Sequence, residues 1–305
     1  MIKILPQWLV LGCAVVAIGV AQTATAKVNV FTCEPEWKAL VEELGKDHVK
    51  AFSATTAYQD PHHIEARPSL IAKARRADLV VCTGSELEIG WLPILLRQSG
   101  NAAIQEGKPG YFLASSLVER LEVPETLSRS MGDIHASGNP HVHLDPYRLQ
   151  HIARSLAERL QAIDPEHSTF YQQQFTDFNQ RWSQSIKQWE VIADTLKGKK
   201  AVVYHRNWSY LLSWLAIDAI ADLEPKPGLP PTSAHLVSLL KTVKEQKPDF
   251  ILVAAYQDTK SARWLSEKSA IPVVSLPFTV GGNKKADNLF ALYQNTLSLL
   301  STAGD

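Results

Sequence analysis

Short apolar runs alternate with amphipathic stretches along most of the chain. In the first half, strand-like runs read "KVNVFTC", "HVKAFSATTAY", "DLVVCTG" and "GYFLASSLV", and helical patterns begin near Pro35, Pro68 and Glu86. The second half repeats this order with "KKAVVYH", "DAIADLEP", "DFILVAAY" and "IPVVSLPF". Runs such as "ILVAA" are continuously apolar, which is typical of strands covered on both faces. The alternation predicts βαβ units with a parallel sheet in each half.

Residues 165–197 have a different pattern. They contain no glycine and no proline after Pro165, and apolar side chains recur at spacings of three to five from Phe170 to Trp189. This spacing predicts one helix of roughly 30 residues, about 45 Å long at 1.5 Å per residue. We therefore expect an α/β protein with two (βα) lobes, residues 27–164 and 198–305, joined by one long linking helix over residues 165–197.

The first 26 residues have the pattern of a secretory signal peptide. Lys3 precedes an apolar run, and Ala24-Thr25-Ala26 supplies the small-x-small pattern of a cleavage site. An uncleaved anchor and a lipoprotein acylated at Cys13 are the alternatives, but the run is short for an anchor and continues past Cys13. The mature chain is expected to begin near Lys27, in the periplasm.

Composition limits the function classes. The 305 residues are 45% hydrophobic and 20% charged, as expected for a globular protein with a substantial core. The 31 basic residues balance the 31 acidic ones, so no nucleic-acid partner is expected. Cleavage would leave Cys33 and Cys82, each at the end of an apolar run. If those runs are neighbouring parallel strands, a disulfide is expected in an oxidising compartment, with two buried thiols as the alternative.

Histidines follow three of the predicted strands. They are His62 and His63, His141 and His143, and His205. Because ligands of open parallel α/β sheets bind beyond the carboxyl ends of the strands, imidazoles from both lobes can converge in the cleft between them. Neutral imidazoles suit Zn²⁺ and other late first-row divalent ions. If "HVH" is extended, His141 and His143 point to opposite sides, and only one of them should face a metal.

These motifs resemble those of the metal-specific solute-binding proteins of ABC importers, the zinc- and manganese-uptake receptor family, over the whole mature chain. The matching segments are "DPHHIE" (residues 60–65), "PHVHLDP" (140–146) and "HRNW" (205–208). The resemblance implies two lobes bridged by a long helix, with the metal in the interlobe cleft. It places the metal ligands on His62, His141 and His205. The auxiliary residues around them are then His63, His143, Glu65 and Asp145.

Two positions in the resemblance stay open. Asp145 and Pro146 read as a helix N-cap and first helical residue, although Asp145 could instead accept a hydrogen bond from a ligating histidine. The family's fourth ligand, an aspartate before a proline at the end of the last strand, is replaced here by Ser275-Leu276-Pro277. The first candidate for that role is Asp287, which could otherwise cap the last helix. The other candidates are water, Asp258, Glu34 and His63.

Three histidines with at most one carboxylate favour Zn²⁺ over Mn²⁺ as the metal. The resemblance then implies a monomeric receptor that captures Zn(II) outside the cytoplasm and delivers it to the membrane permease of an ABC importer, with a metallochaperone as a further candidate partner. A manganese or iron receptor of the same family is the first alternative. A three-histidine zinc hydrolase with Glu65 as base, and an adhesin, are the others. His135 is expected to be an ordinary loop residue or a transient entry ligand.

Overall fold

Two parallel four-stranded sheets form the frame of the molecule. The computed structural model describes residue 2, residues 26–126, residue 132 and residues 135–303, so Cys13 and almost all of the predicted leader lie outside the described residues. The strand order is β2-β1-β3-β4 in the first sheet and β6-β5-β7-β8 in the second. The predicted two-lobe α/β fold is confirmed.

The first sheet follows the sequence pattern closely. Its strands are β1 (Val28–Thr32), β2 (Val49–Ser53), β3 (Leu79–Cys82) and β4 (Tyr111–Leu113). The helices between them are α1 (Pro35–Gly45), α2 (Pro68–Ala74) and α3 (Leu92–Ser99). All three carry a proline in their first two positions, where its fixed φ and missing N–H fit the first helical turn.

Two long helices follow the first sheet, and the second of them connects the lobes. Helix α4 (Pro146–Ile163) and helix α5 (Ser168–Leu196) are separated by a 3-10 turn, Pro165–His167. The predicted linking helix is therefore a single helix of 29 residues. It begins three residues later than expected because Pro165 starts the preceding turn. In the described part of the chain, no helix is both long enough and apolar enough to cross a membrane.

The second sheet has the same topology as the first. Its strands are β5 (Lys200–Val203), β6 (Asp218–Asp222), β7 (Phe250–Ala254) and β8 (Val273–Leu276). The remaining helices are α6 (Ser209–Leu215), α7 (Ser233–Gln246), α8 (Lys260–Ser269) and α9 (Leu289–Ala303). Strands β5, β7 and β8 are paired in parallel, so their carboxyl ends meet at one edge.

One apolar core is continuous across both lobes. It joins one face of each sheet to α1, α4, α5, α6 and α9. On α5, the fully buried Trp182 ring lies 5.2 Å from the Phe178 ring and 5.2 Å from Tyr293 of α9. Trp182 also donates its indole N–H to the carbonyl of Pro146 at 2.8 Å, which ties α5 to the start of α4. Helix α5 is thus part of the core and not a solvent-exposed connection between the lobes.

A disulfide joins Cys33 to Cys82, as the strand pattern predicted. The two residues follow or end the neighbouring parallel strands β1 and β3, and their Cα atoms are 4.8 Å apart. Both side chains are completely buried. The bond therefore fixes two strands at the carboxyl edge of the first sheet, next to the segments that carry the histidines.

Candidate metal centre

Three of the predicted histidines meet between the lobes. His62 lies in the segment after β2, His141 in the segment before α4, and His205 directly after β5. Their ring centroids are 5.8 to 6.0 Å apart. One ring nitrogen from each lies within 4.8 Å of those of the other two. The first lobe supplies two imidazoles and the second lobe supplies one.

Asp60 orients the ring of His62. Its Oδ1 accepts hydrogen bonds from the backbone N–H of His62 at 3.0 Å and from ring Nδ1 at 2.8 Å. Burial raises the pKa of Asp60, but the hydrogen bonds from His62 outweigh burial and hold that pKa below its ordinary value. The carboxylate therefore stays ionised, keeps the proton on Nδ1 and leaves Nε2 with its lone pair. The same segment is anchored by Trp91, whose indole N–H donates to the carbonyl of Pro61 at 3.0 Å.

Asn139 orients the ring of His141 in the same way. Its Oδ1 accepts from the backbone N–H of His141 at 3.0 Å and faces ring Nδ1 at 2.9 Å. The amide orientation is fixed because its Nδ2 donates to Glu122 at 2.8 Å and to the carbonyl of Arg206 at 2.7 Å. His141 Nδ1 must then carry the proton. Its Nε2 is buried and makes no hydrogen bond, as expected for an atom aimed at a ligand.

The two segments share one local motif. Asp60-Pro61-His62 and Asn139-Pro140-His141 both place an Asx side chain two residues before the histidine, where it binds that histidine's backbone and ring together. Sequence reasoning used these motifs only to locate the histidines. The repeated Asx-Pro-His spacing could have predicted the orienting role as well, since Asx side chains bind the backbone two residues on.

The third ring depends on a contact that no local motif predicts. His205 Nδ1 lies 2.7 Å from Glu224 Oε2, across 19 positions of sequence. Glu224 follows β6, and its backbone N–H donates to the carbonyl of Tyr204 at 3.2 Å, so the pairing of β5 with β6 holds it in place. All three rings are therefore held by Nδ1, which leaves the three Nε2 atoms to converge.

Burial keeps the ring of His141 uncharged. It lowers the pKa of His141 well below the ordinary value, and the neighbouring rings of His62 and His205 lower it further by charge repulsion. His141 is 1% exposed and His205 is 8% exposed. Neutral imidazoles with free Nε2 atoms are donors for a divalent cation. A cavity of about 750 Å³, lined by His135, His141 and His205 among others, opens beside the rings.

His135 also reaches the centre. Its Nε2 lies 3.3 Å from His62 Nε2, and its ring centroid is 6.4 Å from that of His141. No local pattern predicts this contact, because His135 lies in the connection between β4 and α4 and shares no motif with the others. It is the imidazole nearest to the three convergent rings that the resemblance did not assign as a ligand.

The other predicted residues lie around the centre in different roles. His63 and Glu65 are exposed. His143 is buried on the other side of the chain, where Nε2 donates to the carbonyl of Phe278 at 3.0 Å and Nδ1 lies 3.3 Å from Glu36. Residues 142–144 form a 3-10 turn and not the extended segment assumed, yet the two histidines still diverge.

Asp145 has the capping role. Its Oδ1 accepts from the backbone N–H groups of Tyr147 at 2.8 Å and Arg148 at 3.1 Å, with Pro146 as the first helical residue of α4. The carboxylate also forms an ion pair with the Arg148 side chain. The structure thus uses Asp145 to start α4 immediately after the histidine segment.

None of the carboxylates considered as a fourth ligand joins the three histidines in the described part of the chain. Asp287 is exposed and accepts a hydrogen bond from Asn288 at 2.8 Å, and Asn288, not Asp287, caps α9 by accepting from Ala291. Asp258 is exposed and accepts from Lys260, whereas Glu34 is buried and accepts from Thr83.

An aromatic ring stands just past the end of the last strand, directly after the Ser275-Leu276-Pro277 segment that replaces the family's aspartate. Phe278 follows β8 and is 3% exposed. Its ring meets His141 edge-on at 5.5 Å and His143 at 5.0 Å. Sequence reasoning noted the missing aspartate but did not assign a role to Phe278. The ring gives this wall of the centre an apolar surface.

A cluster of candidate metal ligands drawn from both lobes of a two-lobe α/β protein points to a metal-specific solute-binding protein. The family model described as "ZnuA: Zinc-uptake complex component A periplasmic" matches residues 30–303, and the chain belongs to this family. Proteins of this class are metal-binding receptors of ABC transporters that work with a membrane permease, and they are not enzymes.

Known proteins with similar sequences agree on the class, and a solved structure agrees on the fold. The chain is 22% identical over 264 residues, 85% of its length and 82% of the relative's, to "Manganese ABC transporter substrate-binding lipoprotein PsaA" of Streptococcus pneumoniae. It is 22% identical to "Metal ABC transporter substrate-binding lipoprotein SloC" of Streptococcus mutans, over 89% of this chain and 88% of that one. The fold matches "Crystal structure of ZnuA" with a TM-score of 0.76 at 20% identity, over 92% of this chain and all of that one.

Proposed function

We propose that this protein captures Zn(II) outside the cytoplasm and delivers it to the permease of an ABC importer. The observation that carries the proposal is the donor set. His62, His141 and His205 each bring one ring nitrogen within 4.8 Å of the others, and each Nδ1 is held by Asp60, Asn139 or Glu224, which leaves Nε2 as the donor atom of each ring. The two nearby carboxylates therefore orient imidazoles. Zinc accepts a set of imidazoles, whereas manganese is better served by carboxylate oxygens.

His135 is the fourth ligand in this proposal. Two ligands of a tetrahedral zinc ion, each about 2.0–2.1 Å from the metal, are roughly 3.3–3.4 Å apart. The Nε2 atoms of His62 and His135 are 3.3 Å apart. A hydrogen bond between the two rings would have the same spacing, so the variant His135→Ala distinguishes the two roles. Loss of a ligand lowers zinc affinity, whereas loss of a ring–ring hydrogen bond at His62 Nε2 does not, because that bond occupies the lone pair that the ion needs.

Manganese is the second candidate, because a relative carries that metal in its name. Competition between zinc and manganese for binding to the purified protein distinguishes the two candidates. We expect one tight equivalent of zinc that excess manganese does not displace, and its loss in His62→Ala, His141→Ala and His205→Ala. His63→Ala and the exposed His151→Ala are the matched controls and should keep it. Tighter binding of manganese than zinc would contradict the zinc assignment and leave the receptor class intact.

Export rests on the amino-terminal leader, which precedes the described fold. Cleavage after Ala26 gives a soluble periplasmic form, and acylation at Cys13 gives a lipid-anchored form like the relatives named as lipoproteins. We favour cleavage because the apolar run continues past Cys13. The intact mass of the mature protein decides: a chain that begins at Lys27 supports cleavage, and a diacylated chain that begins at Cys13 contradicts it.

A further inference from the structure

A second cluster of metal-binding side chains lies at the other end of the first lobe. His48 ends the 3-10 turn between α1 and β2, whereas Asp164 and His167 lie at the corner between α4 and α5. His48 immediately precedes β2 and His62 lies beyond its carboxyl end, so the strand separates this cluster from the centre described above. His48 and His167 are 119 positions apart in the sequence, so no local motif links them.

The three side chains are within coordinating distance of one another. One ligand atom from each of His48, Asp164 and His167 lies within 4.8 Å of those of the other two. The ring centroids of the two histidines are 4.0 Å apart, with an angle of 41° between the planes. The cluster is half-buried, with the His167 and Asp164 side chains 20% and 15% exposed. Partial burial reduces competition from water and leaves a path for an ion.

Neighbouring residues hold the cluster in place. Asp164 Oδ2 lies 2.8 Å from His167 Nδ1 and accepts from the hydroxyl of Tyr171 at 2.7 Å. Without an ion, the Asp164 contact keeps a proton on Nδ1 of His167; a bound divalent ion would displace that proton and take Nδ1, the nitrogen that faces Asp164, as its donor. His48 is fixed by aromatic contacts with Phe170 at 4.4 Å and Tyr171 at 6.3 Å. The donors therefore lose little conformational freedom when they bind an ion.

The turn between α4 and α5 does not by itself explain why the ring of His48 packs against His167. An Asp164–His167 pair three residues apart is enough to order the turn before α5. Placing His48 against His167 adds no hydrogen bond in the structure, and two protonated imidazoles at this distance would repel. A divalent cation turns this contact into an attraction, because both rings then donate lone pairs to one charge.

We infer that His48, Asp164 and His167 form a second, weaker site for a late first-row divalent ion such as Zn²⁺ or Ni²⁺. Two imidazoles and one carboxylate match the preferences of these ions, and the partial exposure leaves coordination positions for water. The bound ion links the α1–β2 turn to the α4–α5 corner. The site is independent of the proposed transport site, because the two share no residue.

Metal stoichiometry of the protein without an affinity tag tests the inference, with zinc alone as the probe. Wild-type protein should bind two equivalents, one tight and one weaker. His141→Ala should retain the weaker equivalent, and His141→Ala combined with His48→Gln or His167→Gln should lose it. His151→Gln, which removes an exposed imidazole of α4, is the matched control and should lose nothing. Circular dichroism checks that each variant is folded.

Anomalous diffraction at the zinc edge then locates the weaker ion. A peak between His48 and His167 supports the inference. Wild-type protein that binds only the His141-dependent equivalent, or a weaker equivalent that survives His48→Gln and His167→Gln, overturns it. Failure of the transport proposal gives a different result, namely loss of the His141-dependent equivalent from wild-type protein while the His48-dependent one remains.

Discussion

At the scale of single residues, the centre depends on how each imidazole is oriented as much as on its presence. Asp60, Asn139 and Glu224 each contact Nδ1 of one ring, and they use a carboxylate, an amide and a carboxylate to do so. Only the two carboxylates add negative charge next to the site. These residues should therefore influence zinc affinity without touching the ion, since hydrogen-bond partners of ligating histidines raise ligand basicity and fix the tautomer.

The variant Asp60→Ala tests this role. It removes the acceptor for His62 Nδ1 and for the His62 backbone N–H, so the ring is free to rotate. We expect zinc affinity to fall about 10- to 100-fold with the stoichiometry unchanged. Titration against a competing chelator measures the change. Glu65→Ala is the matched control, because Glu65 is an exposed carboxylate in the same segment. Equal effects of the two variants would mean that negative charge near the site, and not the orientation of the His62 ring, sets the zinc affinity.

His141 also makes the stability of the metal-free protein depend on pH. Its pKa is lowered in the folded state, whereas an unfolded chain titrates near 6.5. Below that pH, His141 is protonated in the unfolded chain but not in the folded state. The free energy of unfolding therefore falls as pH falls. The contribution is about 1.4 kcal/mol per pH unit for one proton.

Urea denaturation with a chelator present, at about pH 5, 6 and 7, measures this contribution. His141→Gln removes the titrating group, so its stability should fall less steeply than that of wild-type protein over the same range. His151→Gln, which alters an exposed ring, should follow the wild-type slope. Parallel curves for wild-type protein and His141→Gln would show that His141 is protonated as readily in the folded state as in the unfolded chain.

At the scale of elements, the histidine segments are attached to strands and helices whose ends are fixed. The Cys33–Cys82 bond joins the carboxyl ends of β1 and β3. Tyr210 of α6 donates its hydroxyl to the carbonyl of Asn139 at 2.6 Å and accepts from the backbone N–H of Leu121 at 3.0 Å. A helix of the second lobe therefore positions the His141 segment of the first.

Removing the disulfide should lower stability and leave metal binding in place. The bond closes a loop between residues 49 positions apart, and the loss of such a constraint raises the entropy of the unfolded chain. We expect Cys33→Ala with Cys82→Ala to reduce the free energy of unfolding by about 2–4 kcal/mol. Reduced wild-type protein should show a similar loss in denaturant. A large drop in zinc stoichiometry in the folded double variant would mean that the disulfide also shapes the site.

At the scale of the whole molecule, the shared core joins the lobes around the long helix α5. Aromatic side chains of α5 and α9 pack together, with Trp189 stacked on Tyr293 at 4.9 Å. Tyr293 in turn donates its hydroxyl to the carbonyl of His143 at 2.6 Å. The packing of the core thus extends to the segment that carries His141, and a cation bound between the lobes adds a further link.

Zinc should accordingly stabilise the whole fold. At a free zinc concentration 100 times the dissociation constant, binding to the folded state alone raises the free energy of unfolding by about 2.7 kcal/mol. His205→Ala removes the imidazole of the second lobe and should abolish most of this gain. Thermal melts with and without zinc measure this gain in stability. They are made in a His48→Gln background, so that the second cluster does not contribute. An undiminished gain in His205→Ala would mean that the ion does not bind across the lobes.

Local sequence patterns were enough to predict the two parallel sheets, the long helix and the three histidine segments, and they favoured the disulfide over two buried thiols. They could do so because these depend on local periodicity and on residues at strand ends: apolar runs form strands, and Asp145-Pro146 starts α4. Tertiary structure alone decided the contacts between distant segments. These bring Glu224 to His205, His135 to His62, Phe278 to His141 and His48 to His167. Such contacts have no local signature, because they arise only when two sheets and one shared core fix the ends of separate elements in space.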